Sequence, residues 1–349
     1  MRHLKIALRV FVSLGMSAFF VWLSLRKADL RAVLAAMGAA DPRRITLYVA
    51  LLLVIHVLRT LRWGILLEPL GKVSLKRLNS ASAVGWMLLM VLPLRLGEFA
   101  RPLLIARPPP GGGATLSRSG AMASIVVERI VDGIAIGILG IVSLRFVDAS
   151  GRYLDFARRA SWLVAAGFFV LCVALVLAVL FRDRAIALVR ASLARVSPRI
   201  AARATGMLES FIGAVHVGSG LSLVWFFVLT FAYWFVTAWG LGIVAVAFGF
   251  DRLTPLMLAV ILTIQVVGVM VPAGPGMIGT MQFFTQAGLS LFAADAFSAR
   301  GAAYANTIWL LQFCEQVGLG VLFLLAGHVS LKGLFGPRAL EEEATPAAP

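Results

Sequence analysis

Residues 91–101 read VLPLRLGEFAR, and residues 271–279 read VPAGPGMIG. Each stretch sets proline and glycine into sequence that is otherwise continuously apolar. Proline lacks a backbone donor and clashes with the preceding turn, so a helix does not run straight through either one. In the first region, Ala81 to Pro93 is followed by Gly97 to Ala106. In the second, Leu256 to Pro272 precedes Ala273-Gly274-Pro275-Gly276, and Met277 to Phe292 follows. A helix over 80–93 is about 21 Å long, short of the roughly 30 Å of a bilayer core. Regions 80–106 and 255–294 are therefore each expected to form a re-entrant helical hairpin. The alternative is one span kinked at its proline.

The two interruptions share the spacing P-x-x-x-G. Pro93–Gly97 and Pro272–Gly276 lie 179 residues apart (272 − 93), about half of the chain. Division there yields two units, about 1–150 and 155–330, each with two spans, a broken hairpin and one more span. Three full crossings per unit invert the second unit relative to the first. Paired Pro/Gly breaks in corresponding positions are a pointer to a transporter site at the bilayer midplane. Coincidence is the competing explanation, because P-x-x-x-G is a short pattern.

The surrounding sequence sets the environment. Of 349 residues, 60% are hydrophobic, too many for a soluble protein to cover. Continuous apolar runs over about 4–25, 45–67, 120–145, 161–181, 221–248 and 300–327 reach the length of a spanning helix. A membrane β-barrel would show short alternating segments instead. The expected fold is all-α: a polytopic helical membrane bundle of about six full spans plus two hairpins, one transmembrane domain over 1–335. Residues 336–349, acidic and then Ala/Pro-rich, are expected to be disordered. Residues 1–25 carry Arg2 and Lys5 but no convincing cleavage site, so they read as an uncleaved first span.

The net charge of +16 would suggest nucleic acid in a soluble chain, but here Lys and Arg lie mostly between spans. Topology and anionic headgroups account for them, and no nucleic-acid motif is present. Lys72, Lys76, Arg77, Arg107, Arg118 and the Arg-rich segment 182–220 favour cytoplasmic N- and C-termini. Arg26, Lys27, Arg31, Arg43, Arg44, Arg152, Arg158 and Arg159 on the other side temper that bias. The expected location is the cell (inner) membrane. Between Arg184 and Val196 arginines interleave with apolar residues, as in an interfacial helix or a solvated cytoplasmic one. Cys172 and Cys314 fall inside apolar runs with no metal-ligand spacing, and no metal or cofactor is expected.

Ionisable residues within spans are candidates for function. His56, Arg59 and Arg62 recur every three residues and share a broad helix face. Arg95, Glu98 and Arg101 sit on the first hairpin, and Glu128, Arg129 and Asp132 open the next span. Arginine forks suit a phosphate, with the carboxylates orienting them, and free N–H groups near Gly97 would add a positive helix end. Alternatively the same residues brace the hairpin as ion pairs, with Arg59 and Arg62 snorkelling to the interface and His56 structural. The second half is polar but mostly uncharged: Gln265, Gln282, Gln286, Asn306, Gln312 and Gln316 suit either a headgroup path or hydrogen bonds between helices. Glu315 is the only carboxylate well inside that half and a candidate for proton coupling. The aromatic stretches at 225–227 and 233–235 read as lipid-facing anchors. No nucleophile elbow, P-loop, HExxH or paired Cys/His set occurs, and no catalytic residue is assigned.

LPLRLGEFARPLLIAR at 92–107, VVERIVDG at 126–133 and VPAGPGMIG at 271–279 resemble the lysylphosphatidylglycerol synthase transmembrane-domain family, also described as flippase-like integral membrane proteins. The resemblance covers roughly residues 5 to 330. It implies a helical bundle with re-entrant elements and maps family motif positions onto Pro93, Arg95, Gly97, Glu98, Arg101, Glu128, Arg129 and Asp132. It also implies membrane lipids, anionic ones above all, as partners, and a separately encoded lipid-biosynthesis enzyme. Since the chain ends soon after its last span, the lipid-handling half is expected without aminoacyl transfer. An intramembrane transferase using Glu98 or Asp132 as base, an accessory subunit of a glycolipid, polyprenyl-lipid or hopanoid pathway, and a small-solute transporter are the competing expectations.

Overall fold

The structure, a computed structural model, describes residues 2–108, 115–151, 153–195, 197–214, 220–271 and 274–327. Arg152, Val196, Pro272, Ala273 and the tail 336–349 lie outside them. Among the described residues there are helices and no strands. Helices satisfy their own backbone hydrogen bonds, which lipid cannot do.

α1 (Arg2–Leu25) leads through short α2 (Leu30–Gly38) to α3 (Pro42–Leu67). Asp41 caps α3 by accepting from the Arg43 N–H, with Pro42 in the first turn where its missing donor costs nothing. Next come α4 (Leu75–Val91), a tight 3₁₀ run Pro93–Phe99, and α5 (Ala100–Ile105). α6 (Arg118–Phe146) and α7 (Leu154–Leu180) are followed by α8 (Arg182–Ala194) and α9 (Pro198–Ala214). α10 (Gly220–Ala247) precedes α11 (Pro255–Val269), a 3₁₀ turn Pro275–Met277, α12 (Thr280–Leu289) and α13 (Ala299–Leu325).

Among the described residues, four helical stretches are long and apolar enough to cross a membrane: Pro42–Leu70, Leu154–Leu180, Gly220–Ala247 and Ala299–Leu325. α1, with 24 residues, and α6, with 29, also reach spanning length. α6 is not apolar enough to stand out because Glu128, Arg129 and Asp132 fall inside it. α8 buries Ile186 while Leu188 and Arg182, Arg184 and Arg190 are exposed together, so it lacks a clean division into apolar and basic faces.

Both broken regions turn back on themselves. At the mouth of the first hairpin, Arg77 Nη2 donates to the carbonyls of Ile105 and Arg107 at 2.5 Å each, tying the start of α4 to the end of α5. The helical part of the returning limb is shorter than the sequence suggests: 3₁₀ structure occupies 93–99 before six helical residues. In the second hairpin α12 packs back along α11, with Gly288 against Ile261 and Gly268 against Phe284.

The hairpins enter from opposite faces. Ser222, at the start of α10, donates to Glu68, at the end of α3, so that face holds the mouth of the first hairpin. The chain then crosses with α10 before α11 begins, and beyond α12 the Leu291 carbonyl accepts from Ser150 N–H, in the link between α6 and α7. The tips meet at the centre, where Met277 joins Trp86, Leu89 and Met90 in one apolar cluster.

Candidate functional site

The two tips share a local design. Pro93 and Pro275 each open a 3₁₀ turn. Two residues later, Arg95 and Met277 have φ of 58° and 52°, a left-handed region that side-chain-bearing residues rarely adopt. Two residues further, Gly97 and Gly279 press against backbone: Gly97 on Leu88 and Leu89 of α4, Gly279 on Ser17 and Val21 of α1. The matching P-x-x-x-G is thus Pro93–Gly97 with Pro275–Gly279, three residues later than the pairing with Pro272. Gly276 has φ of 67°, its carbonyl accepts from Trp309 Nε1 at 2.8 Å, and Gly274 N–H donates to Ser17 Oγ at 2.8 Å. Gly97 lies inside the 3₁₀ run rather than at a helix start, so the helix end that the sequence suggested there does not exist.

The predicted charged residues come together as two layers. The inner layer is an ion-pair core. Glu128 is fully buried and touches three arginines: Arg62 at 2.9 Å, Arg129 at 2.7 Å and Arg101 at 3.3 Å. Asp132, one turn along α6, takes Arg62 Nη1 at 2.5 Å and Arg129 Nη2 at 3.2 Å. Arg62 does not snorkel; its side chain is wholly enclosed, held by two carboxylates and lying 5.1 Å from the centre of the Tyr233 ring. Arg101 is also buried, its guanidinium 4.4 Å from the Trp63 ring centre and 4.5 Å from that of Trp86. Glycine at 85 leaves the room that the Arg101 side chain occupies.

The outer layer faces a cavity of about 400 Å³ between the hairpins, within the range of small-molecule sites. Its lining combines the charged Arg59, Arg95, Glu98, Arg129 and Asp132 with the apolar Met270, Met277, Met281, Leu262 and Val269 and the amides Gln265, Gln312 and Gln316. Phe168 of α7 and Tyr233 and Trp234 of α10 close the rest. Arg95 bridges the tips: it pairs with Glu98, and its Nη1 donates to the Val269 carbonyl at 2.9 Å. That carbonyl ends α11, where helix carbonyls lack internal partners and favour a cation. The Arg59 guanidinium carbon lies over Trp86, 3.2 Å from the ring centre, and among the described residues no carboxylate pairs with Arg59. Glu315 sits beside the cavity with His56, and His56 Nε2 lies 2.8 Å from Asn79 Oδ1.

Sequence reading did not single out Trp63 and Trp86, read Tyr233 as a lipid-facing anchor, and left Arg62 as a snorkelling side chain outside the site. Arg62 carried a signal, since it follows Arg59 by three residues, but spacing alone does not fix which way a face points. Lysine at position 101 would supply charge without the flat fork that fits between two indoles and spans Glu128. We expect Arg101→Lys to lower stability by about 2 kcal/mol, read as a fall in the thermal unfolding midpoint of the detergent-solubilised protein.

The family model for the lysylphosphatidylglycerol synthase TM region matches residues 6–320. The chain belongs to that family. No curated protein and no solved structure matches it. As a member of the lysylphosphatidylglycerol synthase TM-region family it is a multi-pass helical membrane protein with a lipid-related role. The three motif stretches on which the resemblance rested all fall within the family match: the first hairpin, the charged part of α6 and the second tip.

Proposed function

We propose that this protein carries a phosphate-bearing lipid headgroup between leaflets of the cell membrane. The observation that carries the reading is the cavity where the hairpin tips meet, lined by Arg59, which pairs with no carboxylate among the described residues, and by methionine and aliphatic side chains. Summed over the site and the adjoining Glu315, Arg59, Arg62, Arg95, Arg101 and Arg129 outnumber Glu98, Glu128, Asp132 and Glu315 by one charge (5 − 4). Such a surplus within a low-dielectric bundle favours an anion. The inner ion pairs hold Arg129 in place and Arg95 is tied to Glu98 and Val269, which leaves Arg59 as the cation to meet a phosphate. Acyl chains stay in the bilayer.

The same reading takes residues 1–150 and 155–330 as inverted repeats that open the cavity alternately to the two faces. Helix starts support it: α10, α11 and α13 follow α3, α4 and α6 by 178, 180 and 181 residues (220 − 42, 255 − 75, 299 − 118). So does packing, because α4 lies on α13 as α11 lies on α6, and α5 meets α6 as α12 meets α13. The termini are assigned to the cytoplasm on the basis of the loop arginines.

Proteoliposomes with a headgroup-labelled anionic phospholipid test the proposal through chemical quenching of label in the outer leaflet. The protein is expected to speed exchange between leaflets, and Arg59→Gln to slow it at least about tenfold while the protein stays folded, the loss of one charge-assisted contact. Wild-type liposomes no faster than empty ones, or unchanged exchange in the folded Arg59→Gln protein, would sink the proposal.

A further inference from the structure

Next to the cavity lies a pair of titratable side chains that headgroup binding leaves unused. Glu315 on α13 and His56 on α3 are 8% and 7% exposed, and His56 Nδ1 is 3.9 Å from Glu315 Oε1. That separation exceeds hydrogen-bond length, and Oε1 has no hydrogen-bond partner. The other ring nitrogen, Nε2, sits 2.8 Å from Asn79 Oδ1. An amide oxygen accepts only, so Nε2 carries the hydrogen and the neutral ring turns the Nδ1 lone pair toward the carboxylate. Two buried acceptors thus face each other, which is costly until a donor comes between them. One proton, on either group, provides that donor.

Few other groups act on the pair. Arg59, one turn beyond His56, is the cation whose field reaches Glu315, and Arg101 also reaches His56. Tyr48 on α3 feels Glu315 and accepts from Gln312 Nε2 at 3.0 Å. α4 contributes the uncharged Asn79. Arg59 therefore stands between two anions: a carboxylate on its α13 side and, when loaded, a phosphate in the cavity it lines.

We propose that Glu315 and His56 form a proton-binding site linked to the headgroup site, so that one proton enters as one lipid anion binds. This rests on the reading of the cavity as a phosphate-headgroup site. The proton comes from water, lodges between Glu315 Oε1 and His56 Nδ1, and removes the carboxylate that competes for Arg59. No covalent bond is made or broken. An anion and a proton entering together add no net charge to the membrane interior, where a lone charge is expensive. Linkage is reciprocal, so acid tightens lipid binding and lipid binding raises the hold on the proton.

A short-chain phosphatidylglycerol added to the full-length protein in detergent, in weakly buffered solution with a pH indicator, is the test. The wild type is expected to take up about one proton per lipid bound and to bind roughly tenfold more weakly on the alkaline side. Glu315→Gln supplies an amide donor to Nδ1 permanently, so it should bind tightly at alkaline pH with no proton uptake. His56→Gln provides a second variant and should also abolish the proton uptake. Wild-type binding without proton uptake, or undiminished uptake in both folded variants, overturns the linkage. Proton-linked binding without lipid exchange in proteoliposomes supports the linkage and overturns the transport reading. No binding under any condition overturns both.

Discussion

Glu128→Gln is expected to cost about 3–5 kcal/mol of stability and to leave little folded protein at physiological temperature. Glu128 is the one carboxylate touching Arg62, Arg101 and Arg129 at once, and its side chain is fully enclosed. Glutamine keeps the shape but removes the charge, leaving three arginines to share Asp132, which reaches only Arg62 and Arg129. Arg101 would be buried between two indoles with no anion. Removing one partner of a buried network is far worse than removing the whole of it, because the desolvation of the remaining ions is no longer offset. Thermal unfolding followed by circular dichroism in detergent reads the effect. A midpoint within a few degrees of wild type would mean that water reaches this cluster and screens it.

Gly97→Ala is the second large effect, expected at the upper end of the roughly 1–3 kcal/mol typical of overpacking, together with loss of lipid exchange. A methyl group there meets the main chain between Leu88 and Leu89, which has nowhere to go without bending α4. The tip would lift, and with it the Arg95 bridge to Val269. Gly242→Ala is the informative comparison: its added methyl meets Cδ1 at the far end of the Leu258 side chain, which can turn to another rotamer. Spin labels on the two tips should separate in Gly97→Ala and not in Gly242→Ala. Equal distances and equal stability in both variants would refute the role assigned to Gly97.

The fold was largely legible because its signals are local. Proline and glycine inside apolar sequence announce a chain reversal whatever else surrounds them, and both hairpins follow from that. Their register was less legible, since the second tip contains two prolines and only the backbone shows that Pro275 repeats the geometry of Pro93. The charged cluster was legible as a membership list: each of Arg59, Arg95, Glu98, Arg101, Glu128, Arg129 and Asp132 is expensive in lipid and must find company. Its division was not. Arg101 lies sealed between Trp63 and Trp86 while Arg59 faces the cavity, although both have the same chemistry and apolar neighbours. That distinction depends on which helices meet, and α3 packs on α10 across nearly 180 residues of chain. Aromatic residues suffered most. Tyr233 and Trp234 read as lipid anchors, yet Trp234 is buried and both line the cavity, because α10 turns one face inward while Trp225, Phe227 and Phe235 stay exposed on the other.

The packing of each hairpin on a distant helix constrains how the molecule is made. α4 lies against α13, which is synthesised long after it, and the second tip rests on Ser17 and Val21 of α1, which is synthesised long before it. When α4 and α5 leave the ribosome, the surface that will cover them has not been translated. When the second hairpin arrives, its seat has already been inserted. The first hairpin is therefore covered only once α13 is made: a nascent chain that stops before Ala299 leaves one face of α4, and the Met87 side that Gly320 would receive, open to lipid or to the insertion machinery.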